Sequence, residues 1–185
     1  MLSTKWVFVE KQKVGEDGNV TPYPKGRNVV RGFEQEQGVD YSETFAPVLK
    51  YSSVQALCSE VAEEDLEFEQ MDVKTAFLNG EIEEDIYIEI PEGVEVTPED
   101  LAELGLDKAD DIDKLDLICK LEKSMYGTKQ APRFWNKKIH SVLSDELEFI
   151  RSDGDPCLYV KRTEEGVMMI ALYVCLLYTS DAADD

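Results

Sequence analysis

The pattern of this chain predicts an α+β fold, one antiparallel sheet with helices packed on one side. Three observations predict it. β-Branched and aromatic segments near both ends are interrupted by turn chemistry, and two stretches between them recur at helical spacing. The resulting order is hairpin, helix, strand, short helix, strand, helix, hairpin, whereas a parallel sheet would alternate strand and helix throughout.

Each element has its own signal. Trp6 to Val9 and Asn28 to Val30 are rich in strand formers, and Gly15-Glu16-Asp17-Gly18-Asn19 between them is turn chemistry, so a hairpin is expected. Lys25 and Arg27 then lie two apart on one strand face. Ser52 followed by Gln55 resembles a capping box, and Val54, Leu57, Cys58 and Val61 recur at helical spacing, which predicts a helix from about Ser53 to Glu64. Leu66 to Asp72 alternates as a half-buried strand does, with Leu66, Phe68, Gln70 and Asp72 on one face and Asp72 at its end. Ile86 to Ile90 is a further strand stopped by Pro91. Thr97-Pro98 suits a helix start inside an acidic insertion, about 92–116. Pro132 suits the first turn of a helix whose buried face is Trp135, Ile139, Val142, Leu143 and Leu147. Cys157 to Val160 and Met168 to Val174, separated by Thr163-Glu164-Glu165-Gly166, form a second hairpin.

Composition sets bounds on function. The 185 residues, 43% of them apolar, suffice for one core, and the formal net charge is -21. Such a charge argues against a nucleic-acid binder, because phosphate contacts come from clustered lysine and arginine. The acid is concentrated, however, between Glu81 and Asp116, where only Lys108 and Lys114 are basic. A local basic cleft inside an acidic molecule is compatible with that distribution. Cys58, Cys119, Cys157 and Cys175 show no CxxC spacing and His140 is the only histidine, so reduced, buried thiols are expected rather than a zinc site. The N-terminus has no apolar run of signal-peptide type, and Val167 to Tyr178 is too short to span a membrane.

Five segments, in order, resemble the reverse transcriptase of copia-type LTR retrotransposons: Lys25 to Phe33, Gly38 to Val48, Met71-Asp72-Val73-Lys74-Thr75-Ala76-Phe77 continuing to Gly80, Lys123 to Arg133, and Ser152 to Val160. The resemblance runs from about Lys5 to Val174. It implies the fingers and palm of a right-hand polymerase as a partial domain over 1–174, fingers at about 5–50 and palm at about 51–174. It also implies RNA or DNA template with primer, deoxynucleoside triphosphates, two Mg²⁺ ions for which Mn²⁺ is a substitute, other regions of a retrotransposon polyprotein, and no membrane. The location it implies is intracellular, in a cytoplasmic virus-like particle or the nucleus.

The same resemblance assigns roles. Asp72 matches the first palm aspartate and catalytic metal ligand, with the Val73 carbonyl as an additional oxygen donor, which suits a hard cation. Without the motif Asp72 would read as a surface aspartate ending a strand. Phe77 matches the aromatic ring that excludes a 2′-hydroxyl, although a plain core phenylalanine has the same spacing. Lys25 and Arg27 are candidates for the triphosphate, where cationic donors act as charge clamps. Tyr126 and Gly127 match the loop that packs on the nascent base pair, Gly127 serving either for close backbone approach or as a turn. Lys129, Gln130 and Arg133 are candidate template and primer contacts.

The chain departs from the family pattern at three places. Gly26 and Asn28 stand where alanine and leucine are usual, and the acidic insertion is longer than expected. After Tyr173-Val174 the pattern demands Asp-Asp, whereas Cys175-Leu176 follows. Residues 175–185 resemble the conceptual translation of a transposase adapter from sequencing libraries and are expected to be non-native; a genuine apolar strand continuing to Tyr178 is the alternative. Without the second carboxylate pair the chain as it stands is expected to be inactive. A non-catalytic acidic interaction module derived from a retroelement is the competing function.

Overall fold

A computed structural model describes residues 1–15, 18–103, 117–164, 166–174 and 176–181. In chain order the elements are β1 (Thr4–Val14), β2 (Val20–Val30), α1 (Tyr51–Glu63), β3 (Glu67–Asp72), β4 (Tyr87–Glu89), α2 (Pro98–Glu103), β5 (Ile118–Lys120), α3 (Ala131–Ser141), β6 (Ile150–Arg151), β7 (Leu158–Arg162), β8 (Val167–Tyr173) and β9 (Leu176–Asp181). Among the described residues every pair of strands is antiparallel and helices are interspersed, so the class is α+β as the pattern predicts, but the strands form three separate sheets rather than the one expected, because distant strands pair in ways that local pattern does not encode. The chain divides into two compact units, Met1–Ser42 with Ile82–Lys129, and Glu43–Glu81 with Gln130–Asp185. None of the described helices is long and apolar enough to cross a membrane.

In the first unit β1 and β2 pair from Thr4↔Val30 to Val14↔Val20, a ribbon much longer than the two short segments the composition marks. Pro22 and Pro24 are tolerated within it because both strands of a two-stranded ribbon are edges. Gly15 N–H donates to the Asn19 carbonyl at 2.8 Å and closes the turn. Glu16 and Asp17, at its centre, lie outside the described residues. Gly26 faces Phe8, and a Cβ there would meet the Phe8 Cε1 at 3.0 Å, so the missing side chain makes room for the ring. Trp6 and Phe8 stack with centroids 6.0 Å apart.

A small core of Leu2, Val30, Ile86 and Ile88 holds this unit together. The predicted strand Ile86 to Ile90 contracts to β4, which pairs with β5, a strand the sequence pattern did not mark. The start of α2 is as expected, since Thr97 N–H donates to Asp100 Oδ2 at 2.7 Å and Asp100 N–H donates back to Thr97 Oγ1 at 3.2 Å. The remainder of the acidic insertion, 104–116, lies outside the described residues. Asn28 is the anomaly, because among the described residues both atoms of its buried side-chain amide lack a hydrogen-bond partner.

The second unit is a five-stranded sheet in the order β3-β9-β8-β7-β6. Leu57, Trp135, Ile139, Leu143 and Phe149 pack with Tyr159, Ile170 and Leu172 of the sheet in one core. The helical spacing of α1 and α3 is therefore real, with two corrections. Cys58 is exposed, so it is not one of the expected buried thiols; Cys157 is buried and Cys119 half-buried, while Cys175 is outside the described residues. Leu147 is 47% exposed because α3 runs on into a π-helical turn, Val142–Glu146, whose bond from Leu147 N–H to the Val142 carbonyl spans five residues and rotates Leu147 off the buried face. Burial raises the Cys157 thiol pKa to about 11.

Two further expectations change. The strand β3 is exposed at all its positions rather than half-buried, because it is the sheet's outer strand, paired among the described residues with β9 alone. Nor does the Ser52 capping box form. The helix α1 begins at Tyr51 with Lys50 as N-cap and no local side-chain cap. Asp155, 2% exposed, does the work from a distant loop: its Oδ2 accepts from Lys50 N–H at 2.9 Å and Ser53 Oγ at 2.6 Å, and its Oδ1 from Cys157 N–H at 2.9 Å.

Burial pushes the Asp155 carboxyl up, but the hydrogen bonds from Ser53, Cys157 and Lys50, with the Lys50 charge, outweigh it and hold it below the ordinary carboxylate value. A folded-state pKa below the unfolded one means a stabilisation present above about pH 4 and lost as pH falls through the lowered value. Asp155→Ala is expected to cost about 3 kcal/mol in urea unfolding at pH 7, with the deficit shrinking in acid. Asn28→Leu is expected to raise stability by about 1 kcal/mol in the same measurement, since it removes two unsatisfied polar atoms.

Candidate functional site

Asp72 is the last residue of β3, exposed to solvent, and its Cα partner in β9 is Leu176. Leu176 is in turn the partner of Tyr173 in β8, so Asp72, Leu176 and Tyr173 form one cross-strand row. The C-terminal end of β8 and the start of β9 therefore lie beside the end of β3. Directly after Asp72 comes Val73, half-buried against the core, and then Thr75 at φ 53°. A β-branched residue with positive φ is strained, and here the bend starts a 3-10 turn, Ala76–Asn79. That turn buries Ala76 and packs Phe77 against the core.

The other end of the row carries a similar feature. Val174 has φ 56°, again a β-branched residue in the left-handed region. Its carbonyl accepts a hydrogen bond from Trp135 Nε1 at 2.6 Å, so a buried indole holds the strained turn. Phe77, Trp135, Pro132, Leu172 and Val174 line a cavity of about 330 Å³ together with residues of the 44–48 segment. Trp135, Thr75 and Val174 were not among the residues singled out from sequence. Strain has no one-dimensional signature, and Trp135 reads only as a core position.

The candidates of the first unit group around the β2 end of the ribbon. Lys25 and Arg27 are half-buried, and the Arg27 guanidinium carbon sits 5.8 Å from the centroid of the Tyr126 ring. Gly127 has φ +94°, and a Cβ there would lie 2.0 Å from the Val30 carbonyl oxygen. Its close approach is to protein backbone, since Val30 N–H also donates to the Tyr126 carbonyl at 2.8 Å. Lys129 is engaged within the unit: its Nζ donates to the Gln35 carbonyl at 3.0 Å and lies 4.8 Å from the Tyr41 ring centroid.

In the second unit, Gln130 is fully buried at the start of α3, where its carbonyl accepts from Arg133 and Phe134 N–H. Arg133 pairs with Glu43 at 2.9 Å. Of the second-unit candidates, Asp72, Val73 and Phe77 thus belong to one strand end and its following turn, and Gln130 and Arg133 to the first turn of α3.

The family model described as reverse transcriptase (RNA-dependent DNA polymerase) matches residues 1–183. The chain belongs to that family. The copia-type character read from the motifs stands. The chain is 44% identical over 174 residues to the retrovirus-related Pol polyprotein from transposon TNT 1-94 of Nicotiana tabacum, covering 94% of this chain and 12% of that protein. It is 32% identical, over 94% of the chain and 11% of the relative, to the corresponding polyprotein from transposon RE1 of Arabidopsis thaliana. A putative transposon Ty5-1 protein of Saccharomyces cerevisiae is 37% identical over 56% of the chain and 29% of that protein. The chain thus spans only about an eighth of the length of the plant relatives. No solved structure matches.

Reverse transcriptases use divalent metal ions, which hard oxygen donors hold and which need more than one carboxylate for a two-ion centre. The residues present do not fit such a centre. Asp72 brings one carboxylate, the residue across from it is Leu176, and no three His, Cys, Asp or Glu among the described residues gather at a metal-binding spacing.

Two glycines separate backbone strain from steric clash in this family member. Gly38 has φ +83° with open space around its missing Cβ, whereas Gly127 combines positive φ with contact to Val30. Gly38→Ala is expected to cost about 1 kcal/mol and Gly127→Ala about 3 kcal/mol or more in chemical unfolding, the difference reporting the backbone contact.

Proposed function

We propose that the chain is part of an RNA-directed DNA polymerase of a copia-type retrotransposon, with fingers at about 5–50 and palm at about 51–174. Its substrates are an RNA or DNA template with primer and deoxynucleoside triphosphates, and it works within a larger polyprotein. The observation that carries this reading is the row Asp72, Leu176, Tyr173: the strand that ends on the motif aspartate lies across from the turn at which the family pattern places Asp-Asp. Arg27 beside Tyr126 suits a triphosphate clamp next to a base-packing ring. Phe77, bordering the cavity after Thr75, suits a ring that sorts sugars by size.

The same reading takes residues 175–185 as adapter-derived, standing where the native aspartates belong, and this chain as catalytically silent. Its residues can position a template and a nucleotide, but they lack the second carboxylate pair. The protein is expected to give no template-dependent products in primer extension with Mg²⁺ or Mn²⁺. Calorimetric titration with Mn²⁺ is expected to show no specific site in the chain as it stands. A site should appear in Cys175→Asp/Leu176→Asp and disappear again when Asp72→Ala is added. Mn²⁺ binding that ignores Asp72 in the doubly substituted protein would refute the assignment of Asp72.

A further inference from the structure

The ribbon of β1 and β2 sorts its side chains by register. Cross-strand partners share a face and successive residues alternate, so Lys5, Lys11, Lys13, Lys25 and Arg27, with Tyr23, lie on one face, which holds all the ribbon's cations. The other face consists of Trp6, Phe8, Glu10, Gln12 and Val14, across from Asn28, Gly26, Pro24, Pro22 and Val20. It carries one charge, Glu10, and is otherwise mostly apolar. Among the described residues this sheet has two strands only, and the apolar face is open: Phe8 is 70% exposed, Val14 65% and Val20 53%. A two-stranded ribbon is marginal by itself, and a sheet with an apolar face gains stability when a second layer covers that face.

We propose that the second layer is another copy of this chain, two ribbons stacking apolar face to apolar face about a two-fold axis. The exposed parts of Trp6, Phe8, Val14, Val20 and the two prolines come to roughly 500 Å², a size at which an apolar patch marks an interaction site. Two such patches together bury on the order of 1,000 Å², the lower bound for a specific interface, so the dimer is a weak one. Self-complementarity selects the copy. An axis crossing the strands at the level of Lys11 and Tyr23 reverses the strand direction and sets Phe8 over the partner's Val14, Val20 over the partner's Gly26 and Pro22 over the partner's Pro24. The Phe8 ring lies beside Gly26, so the partner's Val14 and Val20 close on it together. The same axis puts Glu10 across from the partner's Gln12, an acceptor facing an amide donor. At the level of Glu10 the axis would oppose two carboxylates, and at Gln12 it would set Glu10 over Val14; only the Lys11 setting of the three matches apolar with apolar and polar with polar. All five cations stay on the outer faces. A polyanion does not fit this face, which offers it a carboxylate and no cation. Two chains of net charge -21 repel each other, so the contact forms against a long-range force that salt screens.

The test is sedimentation equilibrium of the full chain over a concentration series at low and at high salt. The expected result is a reversible monomer–dimer equilibrium with a dissociation constant of about 10–100 μM that tightens as salt rises. Phe8→Ser/Val14→Ser is expected to weaken it about tenfold or more, whereas Val7→Ser/Val9→Ser, the same kind of loss on the cationic face, is expected to leave it unchanged. Gln12→Lys sets a cation across from Glu10 and is expected to tighten the dimer about threefold more than Thr21→Lys, which adds the same charge on the other face. All the substituted positions are exposed, and circular dichroism of each variant checks that the strands persist. A chain that stays monomeric at about 500 μM would overturn the proposal and leave the face to an occupant of different sequence. Equal losses from the two serine pairs, an association that loosens as salt rises, or equal effects of Gln12→Lys and Thr21→Lys would overturn it as well. None of these outcomes touches the polymerase reading, on which the dimer does not rest.

Discussion

The antiparallel insertion of β9 between β3 and β8 is the contact on which the candidate site depends. Among the described residues β3 has no other neighbour in its sheet, and its positions are exposed, so pairing rather than burial is what keeps it in place. A strand held by one ladder takes its register from that ladder, and a slip of one residue would turn Asp72 to the opposite face. The row Asp72, Leu176, Tyr173 is thus a consequence of hydrogen-bond register. It follows that the backbone pairing of β9 matters to the placement of Asp72.

Strain flanks this row on both sides. Thr75 and Val174 are β-branched residues with positive φ, a conformation that costs energy unless the surroundings enforce it. The enforcement is visible: the 3-10 turn after Thr75 seats Ala76 and Phe77 in the core, and the Trp135 indole holds the Val174 carbonyl. The core of the second unit therefore fixes two turns that would otherwise relax. Asp155 plays a comparable part at the start of α1, supplying from a distant loop the cap that the local sequence does not form.

Total charge and local charge differ in this chain. Electrostatic binding responds to the local potential, and a ribbon with all its cations on one face presents a positive surface whatever the total. Lys25 and Arg27 stood out in the sequence because a family motif surrounds them. Lys5, Lys11, Lys13 and Tyr23 did not, because their relation to those two residues exists only in the paired register.

What the amino-acid order alone determined was local and periodic. The helical spacing of Val54, Leu57 and Val61 and of Trp135, Ile139 and Leu143, the turn at Gly15 to Asn19, the Thr97 and Asp100 cap, and the motif around Asp72 all follow from neighbours within a few residues, and so does family membership. Tertiary structure decided the rest. The ribbon's full length, the exposure of β3, the Asp155 cap, and Gly127 packed against the Val30 carbonyl each join residues far apart in the chain or depend on register. Short-range periodicity is set by backbone geometry and can be read in one dimension; pairing, strain and charge alignment arise only when distant strands meet.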